Sequence, residues 1–129
     1  MRQTLIPLLL PLALVGRPEI ETIPTPPVVV KHETDYSREI AERLSGIAEA
    51  RLFDGVRVDV LTETTSWEVE YPRKWAEAIG QSLYYATVTG TEPGIILLVK
   101  DKQAEQKYVY RCLVVAARCG IIVRLEEIE

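Results

Sequence analysis

The stretch Val56-Arg-Val-Asp-Val-Leu61, Thr62-Glu-Thr-Thr-Ser66, Trp67-Glu-Val-Glu-Tyr71 and Pro72 decides the fold class. β-branched residues recur at alternate places in Val56–Leu61, the pattern of a half-buried strand. Thr62–Ser66 is a polar turn, and Trp67–Tyr71 then alternates large apolar with acidic residues until Pro72 stops it. Upstream, Ala50–Phe53 reads as another short strand, joined to Val56–Leu61 through the hairpin signal Asp54-Gly55. Three consecutive antiparallel strands follow.

Helical periodicity flanks this meander. Ile40, Leu44 and Ile47 fall four and three apart behind Asp35 or Ser37, either of which is a suitable N-cap. Pro72 suits a first helical turn, and Trp75, Ala78, Ile79, Leu83 and Ala86 then share a face up to Thr89-Gly90. The unbroken apolar run Gly94–Lys100 suits a strand covered on both faces. Ala104–Arg118 reads as a helix closed by Cys119-Gly120, and Ile121–Leu125 as a last strand. The order αβββαβαβ predicts a three-layer α/β (α+β) domain with a central mixed sheet flanked by helices.

Composition narrows the function classes. The 129 residues fit one domain, and 47% apolar content excludes intrinsic disorder. Nineteen acidic against 15 basic residues give a net charge of -4, which removes any bulk electrostatic case for nucleic-acid binding and leaves only a local basic patch. Two Cys and one His exclude a disulfide scaffold and a zinc site built from Cys and His. Residues 1–16, with Arg2 before the apolar run Leu5–Val15, have the order of a secretory signal peptide and are too short to span a bilayer. Pro7 and Pro11 interrupt that run and no small-x-small cleavage site stands out, so a cytoplasmic chain is the alternative to export. Residues 17–34, rich in Pro, read as a linker, and 35–129 as the folded domain.

The chemistry sits on the meander. Alternation puts Glu68 and Glu70 on one face of their strand and Trp67, Val69 and Tyr71 on the other. Asp59 lies on the neighbouring strand, so three carboxylates are expected to converge. Such a cluster repels itself without a cation, and hard oxygen donors select Mg²⁺, Mn²⁺ or Ca²⁺, whose waters can be deprotonated to attack a phosphodiester. Taken alone, a Glu-x-Glu pair is more often the solvent face of an edge strand.

Gly55-Val-Arg-Val-Asp59, Glu68-Val-Glu70 and Gln81-Ser-Leu-Tyr-Tyr85 together resemble the ordered motifs of the PD-(D/E)XK nuclease superfamily. The resemblance is to the branch with a Gln-x-x-x-Tyr helix, which includes RecB-type and lambda exonuclease-like enzymes. It runs from the first helix to Leu125 and extends to small bacterial and phage-associated members, many with a signal-like N-terminus. It implies a restriction-endonuclease-like fold and a Mg²⁺- or Mn²⁺-dependent nuclease acting on DNA. Position by position, it makes Asp59 and Glu68 metal ligands, with Gln81 and Tyr85 supporting the site and contacting the substrate backbone.

The chain departs from the pattern at Glu70, where the family usually has Lys, although some members carry Glu there. Glu70 is therefore taken as a third ligand. Lys74, with Arg73 as the other choice, is the candidate to steady charge on the phosphate, although both also suit a solvated flank of Trp75. Glu39 or Glu42 is a candidate for a further carboxylate. The competing expectation is a non-catalytic module of the same fold, exported and bound to a protein partner. His32 reads as a loop residue. Cys112, Cys119, Tyr84, Tyr108, Tyr110, Trp67 and Trp75 read as packing residues.

Overall fold

A computed structural model describes residues 24–129; the signal-like segment 1–16 and the first part of the Pro-rich stretch lie outside the described residues. Helix α1 (Glu33–Arg43) is followed by β1 (Ile47–Arg51), β2 (Arg57–Leu61) and β3 (Thr65–Glu70). A 3-10 turn (Pro72–Lys74) leads into α2 (Trp75–Thr89), then β4 (Glu92–Val99), α3 (Lys102–Cys119) and β5 (Ile122–Glu127). The five strands form one mixed sheet in the order β1-β2-β3-β4-β5. The β1–β2 and β2–β3 pairs are antiparallel, and β3–β4 and β4–β5 are parallel. The three-layer α+β architecture expected from periodicity is therefore present.

The run in β4 shows why. Ile96 and Leu98 join Ile40, Ala41, Val60, Trp67 and Val69 in the core under α1. Ile95, Leu97 and Val99 join Ala78, Cys112 and Ala116 in the core under α2 and α3. A strand with helices on both faces has no solvent side to mark with polar residues. Gly94 lets this strand approach β3, because a Cβ there would stand 2.5 Å from the Trp67 ring.

Several boundaries differ from the sequence reading. Helix α1 starts at Glu33, inside the stretch read as linker, with the Asp35 carboxylate accepting from the His32 amide at 2.9 Å. His32, exposed and extended just outside the helix as a loop residue, is its N-cap. Acidic Glu33 and Asp35 in the first turn oppose the positive end of the helix dipole. Ile47 is not on that helix. The chain turns at Ser45 (φ 55°), with the Gly46 amide bonding the Ala41 carbonyl at 2.8 Å and the Ser45 amide reaching Glu42. This six-to-one closure of the helix end releases Ile47 into β1.

The first hairpin strand is Ile47–Arg51 instead of Ala50–Phe53, because Arg51 pairs with Arg57 and residues 52–56 form the turn. Among the packing assignments, Trp67 and Cys112 are buried, whereas Tyr84, Tyr110 and Cys119 are exposed. Among the described residues, no helix is long and apolar enough to cross a membrane.

Candidate active site

Glu68 and Glu70 lie on the central strand, not on an edge, and both are buried, at 3% and 4% exposure. Those values decide against a solvated Glu-x-Glu face. Trp67 and Val69 point toward α1 as alternation requires, which turns Ser66, Glu68 and Glu70 toward α2. The β2–β3 register pairs Val60 with Trp67, and the next step along it sets Asp59 against Glu68.

At that step the ladder opens. The paired residues stop at Val60 and Trp67, and the Val69 amide donates to Asp59 Oδ2 at 2.8 Å. A side-chain carboxylate has replaced a backbone carbonyl, fixing Asp59 beside Glu68. Tyr85, buried on α2, directs its hydroxyl at the Glu68 carboxyl.

The electrostatics follow from burial. Desolvation, and next the neighbouring Asp59 carboxylate, push the Glu68 carboxyl far above the usual range, so it keeps a proton at neutral pH. Burial also raises Asp59, opposed by the hydrogen bond from the Val69 amide. Burial beside Glu68 raises the Tyr85 hydroxyl. Glu68 Oε2 has no hydrogen-bond partner. The contrast on the same strand face is Ser66, whose hydroxyl meets Thr89 at 2.8 Å and Thr91 at 2.6 Å. Buried polar atoms are nearly always satisfied, and Glu68 Oε2 is an exception on this face.

Glu70 belongs to the other half of the site. One of its oxygens accepts from the Tyr71 amide at 2.8 Å. Its carboxyl lies beside Glu33, which burial and then Glu70 raise to about 7. The charge of Glu70 also reaches Asp59 and Glu68 and helps to raise both. Among the described residues, no three Asp, Glu, His or Cys groups stand together as a metal-ligand set.

The extra carboxylate from the first helix is Glu33, not Glu39 or Glu42. Glu39 pairs with Lys31 at 2.7 Å on the surface, and Glu42 is exposed. Lys74 is exposed but close enough to oppose the raised proton affinity of Glu33. Arg73 and Gln81 are exposed, and neither has a hydrogen bond to the carboxylates.

Glu49 was missed by sequence reasoning. It faces Asp59 from β1 and adopts φ 53°, a left-handed conformation that costs a non-glycine residue about 1–2 kcal/mol. Strain of this kind concentrates at functional sites. Nothing in the alternation of Ile47–Arg51 announces it.

Asp59 and Glu68 are hard oxygen ligands on one face, one of them with a buried oxygen lacking any partner. Mg²⁺ commonly takes one or two carboxylates and completes its shell with water and substrate phosphate, so a two-carboxylate set fits it. The chain matches no family model, no curated protein and no solved structure.

Proposed function

We propose that this protein is a metal-dependent nuclease that hydrolyses phosphodiester bonds in DNA. The observation that carries the proposal is half-buried Asp59 facing buried Glu68 from the neighbouring strand, with Glu68 Oε2 left without a hydrogen-bond partner. The motif order of the sequence supports the same reading. In it, Asp59 and Glu68 hold Mg²⁺ or Mn²⁺, which supplies Lewis acidity and an activated water when bound.

The remaining roles belong to the protein. The Val69 amide fixes the Asp59 carboxylate, so one oxygen stays aimed while the other binds. Tyr85 positions Glu68. Lys74, exposed at the Glu33–Glu70 end, is placed to steady charge on a phosphate oxygen. Gln81, one helical turn before Tyr85, lies on the open side of α2 where a substrate backbone would pass. Arg73 adjoins that path without touching the carboxylates.

A second reading is favoured by the absence, among the described residues, of a three-group ligand set. It is a non-catalytic module of the same fold, exported through the signal-like segment and bound to a protein partner. Cleavage of labelled DNA with Mg²⁺, Mn²⁺ or EDTA separates the two. The nuclease requires metal and loses cleavage in Asp59→Asn, whereas a module cuts nothing and keeps its partner when Asp59 is replaced.

A further inference from the structure

The hairpin joining β1 and β2 carries features that the fold does not need. Arg51 and Arg57 are directly opposed in the antiparallel register. Opposed side chains leave the same face, and like charges so placed destabilise a hairpin. Both are exposed, and the nearest carboxylate, Glu49, reaches only one Arg57 nitrogen at 3.9 Å. Arg51 has no ion-pair partner among the described residues.

Arg57 is two residues from Asp59 on β2, hence on the same face and about 7 Å along the strand. The two arginines therefore stand one strand repeat from Asp59, on its face of the sheet. In a chain of net charge -4, Arg51 without an ion-pair partner among the described residues and Arg57 held only at 3.9 Å by Glu49 form a local patch for an anion.

Beyond the arginines, Phe53 stands at the hairpin tip with 88% of its surface exposed. The tip is held firmly. The Leu52 amide bonds the Val56 carbonyl at 2.7 Å, and Gly55 takes φ 87° to close the turn. Asp54 accepts from the Val56 amide at 3.0 Å and from the Tyr84 hydroxyl of α2. A rigid support for an aromatic ring in water serves no core, but it suits stacking on an unpaired base.

We infer that this hairpin grips single-stranded DNA, with Arg51 and Arg57 on backbone phosphates and Phe53 stacked on a base. The choice of ligand rests on the nuclease reading. A single strand is specified because a duplex keeps its base faces stacked and closed to Phe53.

The test is fluorescence anisotropy of a labelled oligothymidylate with the full chain in EDTA, against the same strand annealed to its complement. Arg51→Ala with Arg57→Ala should weaken single-strand binding about tenfold or more and reduce the logarithmic salt slope by about one. Phe53→Ser should weaken it about tenfold with the salt slope unchanged. Thermal melts should show all variants folded. Unchanged affinity in these variants, no binding by the wild type, or tighter binding of duplex than of single strand would overturn the inference. If no preparation cleaves DNA while the hairpin variants still lose affinity, the nuclease reading falls and the grip stands. If the protein cleaves and the variants keep both affinity and KM, the grip alone falls.

Discussion

Glu68→Gln should make the metal-free protein more stable while abolishing its activity. Glu68 is 3% exposed, faces Asp59, and holds a proton in the folded state that it lacks when unfolded at neutral pH. Taking up that proton costs about 1.4 kcal/mol for each pH unit above the unfolded value near 4.3. At pH 7 the cost reaches about 3–4 kcal/mol, whatever the folded value, provided it lies above 7.

This figure is a ceiling, because Asp59 shares the proton. Gln reproduces the shape of the protonated acid, donates to Asp59 and needs no proton. The sign follows from linkage. A carboxyl whose folded value is raised contributes fully below its unfolded value, and that contribution is lost as pH climbs through the interval to the folded value. Urea melts at pH 7 should show Glu68→Gln more stable than wild type by about 1–3 kcal/mol. At pH 4.5 the difference should nearly vanish. Equal stability at pH 7, or a gain independent of pH, would refute the reasoning.

Further consequences follow from other residues. Glu33→Gln should flatten the loss of metal-free stability between pH 5 and about pH 7, since burial and Glu70 raise Glu33 to about 7. The effect should be smaller than for Glu68 because Glu33 is half-buried, as parallel urea melts across that range would show. Gly94→Ala puts a Cβ 2.5 Å from the Trp67 ring and should cost about 1–3 kcal/mol in the same assay. Lys74→Met, at an exposed position, should leave thermal stability unchanged while lowering the cleavage rate about 100-fold.

Much of the fold was legible because it depends on local periodicity. The alternation in Trp67–Tyr71 separated the two strand faces correctly, and the run around Ile95–Val99 marked a strand covered on both sides. Asp59 and Glu68 were found as neighbours because strand pairing and a short turn bring them together.

What escaped depends on contacts distant in sequence or on single backbone angles. Glu33 reaches the site because the start of α1 meets the end of β3, and its place in a Pro-rich approach hid it. The bond from the Tyr71 amide to one Glu70 oxygen is a matter of side-chain direction that alternation cannot supply. Glu49 needed a left-handed angle inside a strand, and the hairpin turn proved longer than Asp54-Gly55 suggested. The exposed Tyr84 and Tyr110 show that apolar neighbours in sequence do not guarantee burial.

The central claim is a cation-dependent nuclease centred on Asp59 and Glu68. Its most direct test is cleavage of labelled single- and double-stranded DNA by the full chain in Mg²⁺, Mn²⁺ or EDTA, beside Asp59→Asn and Glu68→Gln. Cutting should require a divalent metal and disappear in both variants, although Glu68→Gln melts later than wild type. Absence of cutting by a protein shown to be folded, or cutting that survives EDTA or either substitution, would contradict it.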